Sequence, residues 1–427
     1  MKHAITAVKF IGLLFVLFIC GFSWRDIRQG QLPKLSTFAS MIDTALAENR
    51  PSPEQEYLQN YDRIRGDYYK KVASDKQIYA GMEGLMSSLG DPHTMFMPPQ
   101  VASEFSNETN GSFVGIGCRL STNPLGAEAV SVFDNGPALK AGLKTGDVIT
   151  GVNGASVVGF EIDDVVKKIR GEEGTIVKLK VLRGAKLQPV VLAVTRARVE
   201  TPTVSETKVI PKTQFGYFQV ASFSEPTPRQ FDDELAKLEK QHINGLVIDL
   251  RDNPGGLLET AKDMLSRFVD DKSVVTVRYR DGHEETVSTD SGEVHNFKYP
   301  IVLLVNEDSA SAAEIYSGVL QDYKLATLVG THTYGKASVQ NVWHVVGDDD
   351  QSASAKVTIA HYFLPRGPSH DIGRKVDEEG QYISGGLKPD VEADLDPDSA
   401  TKITIGDIAT DTQLQKAVEV LKQKTGS

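Results

Sequence analysis

Apolar residues recur along this chain in three rhythms, and each predicts a different kind of structure. In SPEQEYLQNYDRIRGDYYKKV and DKQIYAGMEGLMSSLG they keep helical spacing, with Ser52, Pro53 and Glu54 as a start signal. Two or three helices are predicted over residues 52 to 90, until the prolines of DPHTMFMPP break the pattern. From Ser112 to about Arg198 the rhythm shortens to β-rich segments parted by glycines: SFVGIGCRL, AEAVSVF, DVITGVNG and TIVKLKVLRG, with one helix, EIDDVVKKIR, among them. A stretch of roughly 85 residues is the size of a compact module. From about residue 205 strands and helices alternate: FGYFQVASF, TPRQFDDELAKLEKQ, GLVIDL, GLLETAKDMLSRFV, PIVLLVN, SAAEIYSGVLQDY and LATLVG. Such alternation predicts an α/β architecture with a largely buried sheet. DDDQS at 348–352 reads as an exposed turn. DTQLQKAVEVLKQK reads as an amphipathic helix capped by Asp411, packing on the core or on a partner subunit.

The N-terminus follows a fourth pattern. Behind two lysines, Phe10 to Trp24 form a mostly apolar run of 15 residues. That length suits a signal peptide and falls short of the roughly 20 residues of a spanning helix. A cleaved signal peptide and an uncleaved anchor over residues 1–24 both stand, and either places the remainder outside the cytoplasm. Ala45–Ala47 lie far downstream for a cleavage site, and bulky Ile19 disfavours lipidation of Cys20.

Composition narrows the function. A chain of 427 residues accommodates two to four domains. A net charge of -11 without a basic stripe excludes a general nucleic-acid binder. Two cysteines give no disulfide framework, and Cys118 is expected as a small buried hydrophobe. The nine histidines are scattered without metal-ligand spacing, so neither metal nor cofactor is predicted.

The stretch GTHTYGKASVQ, Gly330 to Gln340, imitates a phosphate-binding loop. It carries Ala337 where the magnesium-binding hydroxyl belongs, and SVQNVWHVV after it predicts a strand where a helix is required. Lys336 therefore needs another role. A lysine becomes a base when burial disfavours its ammonium form, and a Ser-Lys pair is a known variant of triad logic. VNEDSASAAEI supplies Ser309 or Ser311 at a helix start, where free N–H groups, Ala312 first, favour developing negative charge. A further donor is available from DLRDNPGG, whose glycines let backbone approach a carbonyl closely. Alternation from Lys336 through Ser338 to Gln340 would set Gln340 beside the lysine. Without more, both serines also read as ordinary helix caps, and the glycines as a tight turn.

Together NEDSASAAEI and YGKASVQ, with LGDPHTMFMPP, DLRDNPGGLL and GGLKPDV in order, resemble the carboxyl-terminal processing peptidases, also called tail-specific proteases. The resemblance spans about residues 52 to 425. It implies Ser311 as nucleophile, Lys336 as general base, Gln340 as the lysine's support, and an oxyanion hole of Ala312 with Gly255 or Gly256. SFVGIG and DNGPALKAGLKTGDVITGVNG are similar to a PDZ domain, which implies a carboxylate-binding loop at Gly115, Ile116 and Gly117. The implied fold is α+β and multidomain: a helical region at 52–100, a PDZ β-module at 112–198, an α/β protease core at 205–400 and a helical segment at 401–427. The implied activity is an extracytoplasmic serine endopeptidase acting on proteins with accessible C-termini, with a homodimer formed through the terminal regions in keeping with the family. Membrane contact would come through an uncleaved N-terminus. Ala337 for the usual Gly, Leu364 for a usual Thr, and a long segment at 368–384 depart from the pattern. A non-catalytic PDZ scaffold with a degenerate core is the alternative, and a nucleotide-binding protein is a third.

Overall fold

The computed structural model describes residues 52–134, 136–346, 352–377, 379–395 and 404–426. The N-terminal apolar run, Cys20 and most of the 348–352 turn lie outside the described residues. Among those described, no helix is long and apolar enough to cross a membrane. The chain divides into two units, residues 1–78 and 79–427.

In the first unit, helix α1 (Pro53–Asp67) starts at the signal read from sequence. The Gln55 N–H donates to Ser52 Oγ at 3.3 Å, and the Ser52 N–H donates back to Gln55 Oε1 at 3.1 Å, a reciprocal cap. Helix α2 spans Ser74–Ser87, and the division between the units falls within it. In the second unit, β1 (Met95–Met97) and α3 (Pro99–Thr109) follow. The prolines that end the helical pattern also begin α3, since proline in a first turn gives up an N–H that has no partner anyway.

The glycine-parted stretch folds as β2 (Ser112–Gly115), β3 (Cys118–Asn123), β4 (Gly126–Val132), α4 (Pro137–Lys140), β5 (Val148–Val152), β6 (Ala155–Ser156), α5 (Ile162–Ile169), β7 (Ile176–Arg183), β8 (Gln188–Thr195) and β9 (Ala197–Glu200). Its antiparallel sheet has the order β3-β4-β5-β7-β8, with β6 on β5, while β2 and β9 pair as a separate ribbon. Alternate residues of β7, Val177, Leu179 and Val181, are buried against Val165 and Ile169 of α5. Cys118 is half-buried beside this core, and burial pushes its thiol up to about 12.

The remainder comprises β10 (Val204–Val209), β11 (Phe215–Val220), α6 (Thr227–Glu239), β12 (Gly245–Asp249), α7 (Leu258–Ser266), β13 (Ser273–Tyr279), β14 (Glu284–Ser288), β15 (Ile301–Val305), α8 (Ala312–Asp322), β16 (Thr327–Gly330), β17 (Ser338–Val346), β18 (Ala353–Phe363), β19 (Lys375–Val376), β20 (Tyr382–Ser384), β21 (Val391–Glu392) and α9 (Thr412–Thr425). The main sheet runs β10-β11-β12-β15-β16-β21 and is parallel from β11 onward. Every residue of β12 and β15 is buried, as expected of parallel strands covered on both faces. Helices α6, α7 and α8 cover one face. On the other, Leu414, Ala417, Val418 and Leu421 of α9 pack against Tyr217, Val247, Val302 and Leu304. The C-terminal helix thus packs on the core. A second sheet, β1-β18-β13-β14 with β17 on β18, stands beside the first.

One polar group crosses the apolar layer under α9. Arg251, buried just beyond β12, donates to Asp249 at 2.6 Å, to Asp411 at 2.7 Å and to Gln413 at 2.9 Å. The Tyr217 hydroxyl donates to Asp249 at 2.8 Å. This ties the start of the DLRDNPGG loop to the N-cap of α9. Arg251→Met would strand two buried carboxylates, and its expected cost in urea unfolding is about 3–5 kcal/mol. Adding Asp249→Asn and Asp411→Asn should recover much of that loss.

Candidate active site

Strand β15 delivers its chain into the loop Asn306–Ala310, and Ser311 forms the N-cap of α8. Its backbone sits at φ 54° and ψ -118°, a conformation that side chains rarely adopt and that surrounding contacts must enforce. Those contacts are visible. The buried Ser309 hydroxyl donates to Leu250 O at 2.8 Å and accepts the Asn306 N–H at 3.0 Å. The Ala310 N–H donates to Asn253 O at 2.9 Å. Of the two serines that spacing alone leaves open, Ser309 spends its hydroxyl on the loop, while Ser311 is half-buried at the site.

The glycine loop lies directly against Ser311. At Gly255, with φ +98°, an added Cβ would stand 2.7 Å from Ser311 Cβ and 2.8 Å from Ala312 N, so no larger residue fits. The Gly255 N–H is already committed to Asn253 Oδ1 at 2.9 Å. By contrast, the N–H groups of Gly256 and Ala312 have no acceptor among the described residues. The pair of free donors is therefore Ala312 and Gly256.

Lys336 precedes β17 and reaches the same place through one carboxylate. Glu314, buried in the first turn of α8, accepts from the Ser311 N–H at 2.9 Å, the Lys336 N–H at 2.8 Å, the Gly335 N–H at 2.6 Å and the Thr333 hydroxyl at 2.6 Å. Burial raises its pKa, and these donors oppose the rise. The Tyr362 hydroxyl donates to the Lys336 carbonyl from the other side.

Burial pushes the Lys336 ammonium down to about 8, with the charge of Lys356 adding to the effect and Glu314 and Asp91 opposing it. Its Nζ makes no hydrogen bond or ion pair among the described residues, with Ser311 or with Gln340. Strand β17 begins at Ser338, two residues past Lys336, and the residue left unpaired by its register slip after Val339 is Ile359 of β18, so Gln340 keeps the face of Ser338. The Gln340 amide donates to Ser338 Oγ at 2.8 Å and to Thr358 Oγ1 at 3.1 Å.

The DPHT segment forms another side of the site. Asp91 accepts from the His93 N–H at 3.0 Å and the Thr94 hydroxyl at 2.7 Å, and the Thr358 N–H donates to Thr94 Oγ1 at 3.0 Å. Burial and then the charge of Lys336 lower the His93 pKa. Lys356 stands on β18 opposite Met95, its ammonium 5.2 Å from the Phe105 ring.

In the β-module, Gly115 closes β2, and Ile116 and Gly117 lead into β3. Their carbonyls face inward, Ile116 O accepting from Ala138 at 2.7 Å and Gly117 O from Phe133 at 3.0 Å. The N–H groups of Ile116 and Gly117 have no acceptor among the described residues. Strand β3 is the sheet edge, with α5 packed beside it.

Comparison with known proteins follows the same division. The PDZ domain pattern matches residues 129–183, and that of peptidase family S41 matches 214–393. The chain is 35% identical over 343 residues to carboxy-terminal processing protease CtpA of Bacillus subtilis (strain 168), covering 80% of this chain and 68% of that protein. The chain belongs to peptidase family S41. CtpB of the same organism is 32% identical over 332 residues, covering 77% of this chain and 68% of that one. Among solved structures, a photosystem II D1 C-terminal processing protease is 28% identical, covers 78% of this chain and 86% of its own, and has a TM-score of 0.42. The peptidase is thus a PDZ-carrying member of the carboxy-terminal processing serine proteases.

The departures from the family pattern have local explanations. Ala337 keeps an ordinary backbone conformation and buries its methyl in the core. Leu364 fills the space against Gly318 of α8. The long segment folds into the β19–β20 hairpin. Sequence reasoning gave no role to Glu314, Asn253, Asp91, His93 or Lys356. The one available signal was Ser311-x-x-Glu314, the spacing of a capping box. In Glu314→Gln, an amide NH2 must face backbone donors. The expected result is a fold retained by circular dichroism, a stability loss of about 2–4 kcal/mol, and at least a tenfold drop in peptidase activity.

Proposed function

We propose that this peptidase hydrolyses polypeptides with Ser311 as nucleophile and Lys336 as general base, acting on chains captured by their C-terminal tails. The observation that carries the reading is the shared anchor: the Ser311 and Lys336 N–H groups both donate to Glu314 Oε2, and burial pushes the lysine down to about 8. At neutral pH roughly a tenth of such a lysine is the free amine. Catalytic hydrogen bonds of this kind commonly tighten once substrate is present.

The steps then balance. Ser311 Oγ attacks the scissile carbonyl as its proton passes to Lys336 Nζ. The oxyanion lies toward the N–H groups of Ala312 and Gly256, which need no reorganisation to receive it. The lysine returns the proton to the leaving amine, and an acyl-enzyme remains. Water repeats the sequence and frees the acid. Gln340 keeps its Oε1 for the lysine ammonium, its NH2 being held by Ser338 and Thr358.

Substrate tails add a strand to β3, their terminal carboxylates meeting the N–H groups that follow Gly115, at Ile116 and Gly117. The N-terminal apolar run supports an extracytoplasmic enzyme, secreted or anchored, and the terminal helices a homodimer. The scaffold reading draws on one observation, that no hydrogen bond joins Lys336 Nζ to Ser311 Oγ among the described residues. A serine-reactive phosphonate probe separates the two, because only an activated Ser311 becomes labelled.

Cleavage of an unstructured protein with an apolar C-terminus provides the test. Ser311→Ala and Lys336→Ala should each lower kcat by about 10³-fold or more with the fold intact. The wild-type rate should rise with pH and level off above about 8, because the neutral amine is the reactive form. A Ser311→Ala protein as active as wild type would end the proposal.

A further inference from the structure

The segment from Ile372 to Leu387 has no part in these steps, yet it is bonded to the loop that carries Lys336. The Arg374 N–H donates to Gly335 O at 2.8 Å, the Leu387 N–H to Thr333 Oγ1 at 2.7 Å, and the Thr333 N–H to Leu387 O at 3.1 Å. The hairpin is thereby set by the same backbone that Glu314 fixes.

On it stands a row of rings with a cation among them. His332 and Tyr382 stack with centroids 4.3 Å apart and planes parallel. The Arg374 guanidinium lies 5.4 Å from the Tyr382 ring and 5.0 Å from the Tyr334 ring. Tyr334 in turn meets His93 edge-on at 6.3 Å, and His93 feels the Lys336 charge. Arg374 is exposed and makes no ion pair among the described residues. Asp371 holds His361 at 3.0 Å and Asp377 accepts the N–H groups of Glu379 and Gln381 in its own turn, while Glu307, Glu392 and Asp394 line the pocket on the His332 and Tyr382 side.

A guanidinium set over two aromatic faces has its orientation fixed beforehand, so binding costs it less side-chain entropy. Its edge keeps N–H groups for bidentate contact with a carboxylate. Lysine would offer neither the plane nor the fork.

We propose that Arg374, seated on Tyr334 and Tyr382, is a specificity subsite of the peptidase that receives a carboxylate of the bound polypeptide. The source is an acidic side chain near the scissile bond or the free C-terminus of a short tail. The proposal rests on the Ser311–Lys336 reading only for the direction of the substrate chain.

The test uses the full chain and unstructured peptides sharing an apolar C-terminus. They differ by Asp, Asn or Lys at single positions on either side of the cleaved bond, and each is made with a free and an amidated end. The readout is the kcat/KM ratio of Asp to Asn, and of free to amidated, in which a general loss of activity cancels. In wild type one ratio should be roughly three to ten. It should fall to about one in Arg374→Ala, stay intermediate in Arg374→Lys, and reverse in favour of Lys peptides in Arg374→Glu. The Asp ratio responding assigns the side chain, and the amidation ratio responding assigns the terminus. Ratios equal in all four proteins overturn the proposal. The same ratios taken as Kd values on Ser311→Ala protein decide the subsite even if cleavage proves independent of Ser311, so the two readings fail separately.

Discussion

A single buried carboxylate organises the site. An ion taken out of water costs several kcal/mol unless donors replace its hydration, and Glu314 has found all of its donors within two stretches of backbone and one hydroxyl. The consequence is geometric. The start of α8 and the loop before β17 cannot drift apart without stranding that charge. The hairpin bonded to Thr333 and Gly335, and Tyr362 bonded to the Lys336 carbonyl, inherit their positions from it.

Strain is concentrated next to this anchor. Ser311 holds a left-handed backbone conformation without being glycine, while its neighbour across the gap, Gly255, is a position where only glycine fits. The rigid surroundings that enforce both, β12 and β15 with every residue buried, belong to the part of the fold where a sheet is best able to absorb such a cost. The site thus borrows its precision from the middle of the molecule rather than from its loops.

The large elements were legible because their burial patterns are periodic. Short continuous apolar runs such as GLVIDL and PIVLLVN, bounded by turn residues, fit covered strands, and the glycine-parted segments between 112 and 198 announce a separate small sheet. What escaped were interactions without periodicity. Alternation sets Gln340 on the face of Ser338, where its amide donates to Ser338 and Thr358, but Lys336 precedes the strand and the count does not reach it. Pro98 and Pro99 were read as an ending and also serve as a beginning. Arg251 looks like a surface charge in DLRDNPGG, and nothing local reveals that, besides Asp249, it meets Asp411 and Gln413 some 160 residues on. Glu314 was hidden in plain view, since a helix cap and an active-site anchor share one spacing.

Arg251 and Asp411 are 160 residues apart in sequence, yet they meet under the loop that ends in Gly255 and Gly256. That separation imposes an order on biosynthesis. While the chain is being made, every residue of the site exists long before the helix that neutralises Arg251 has left the ribosome. A partial chain therefore carries a buried cation without its second counter-ion and a loop without its floor. Docking of α9 is therefore the event that completes the carboxylate pair around Arg251.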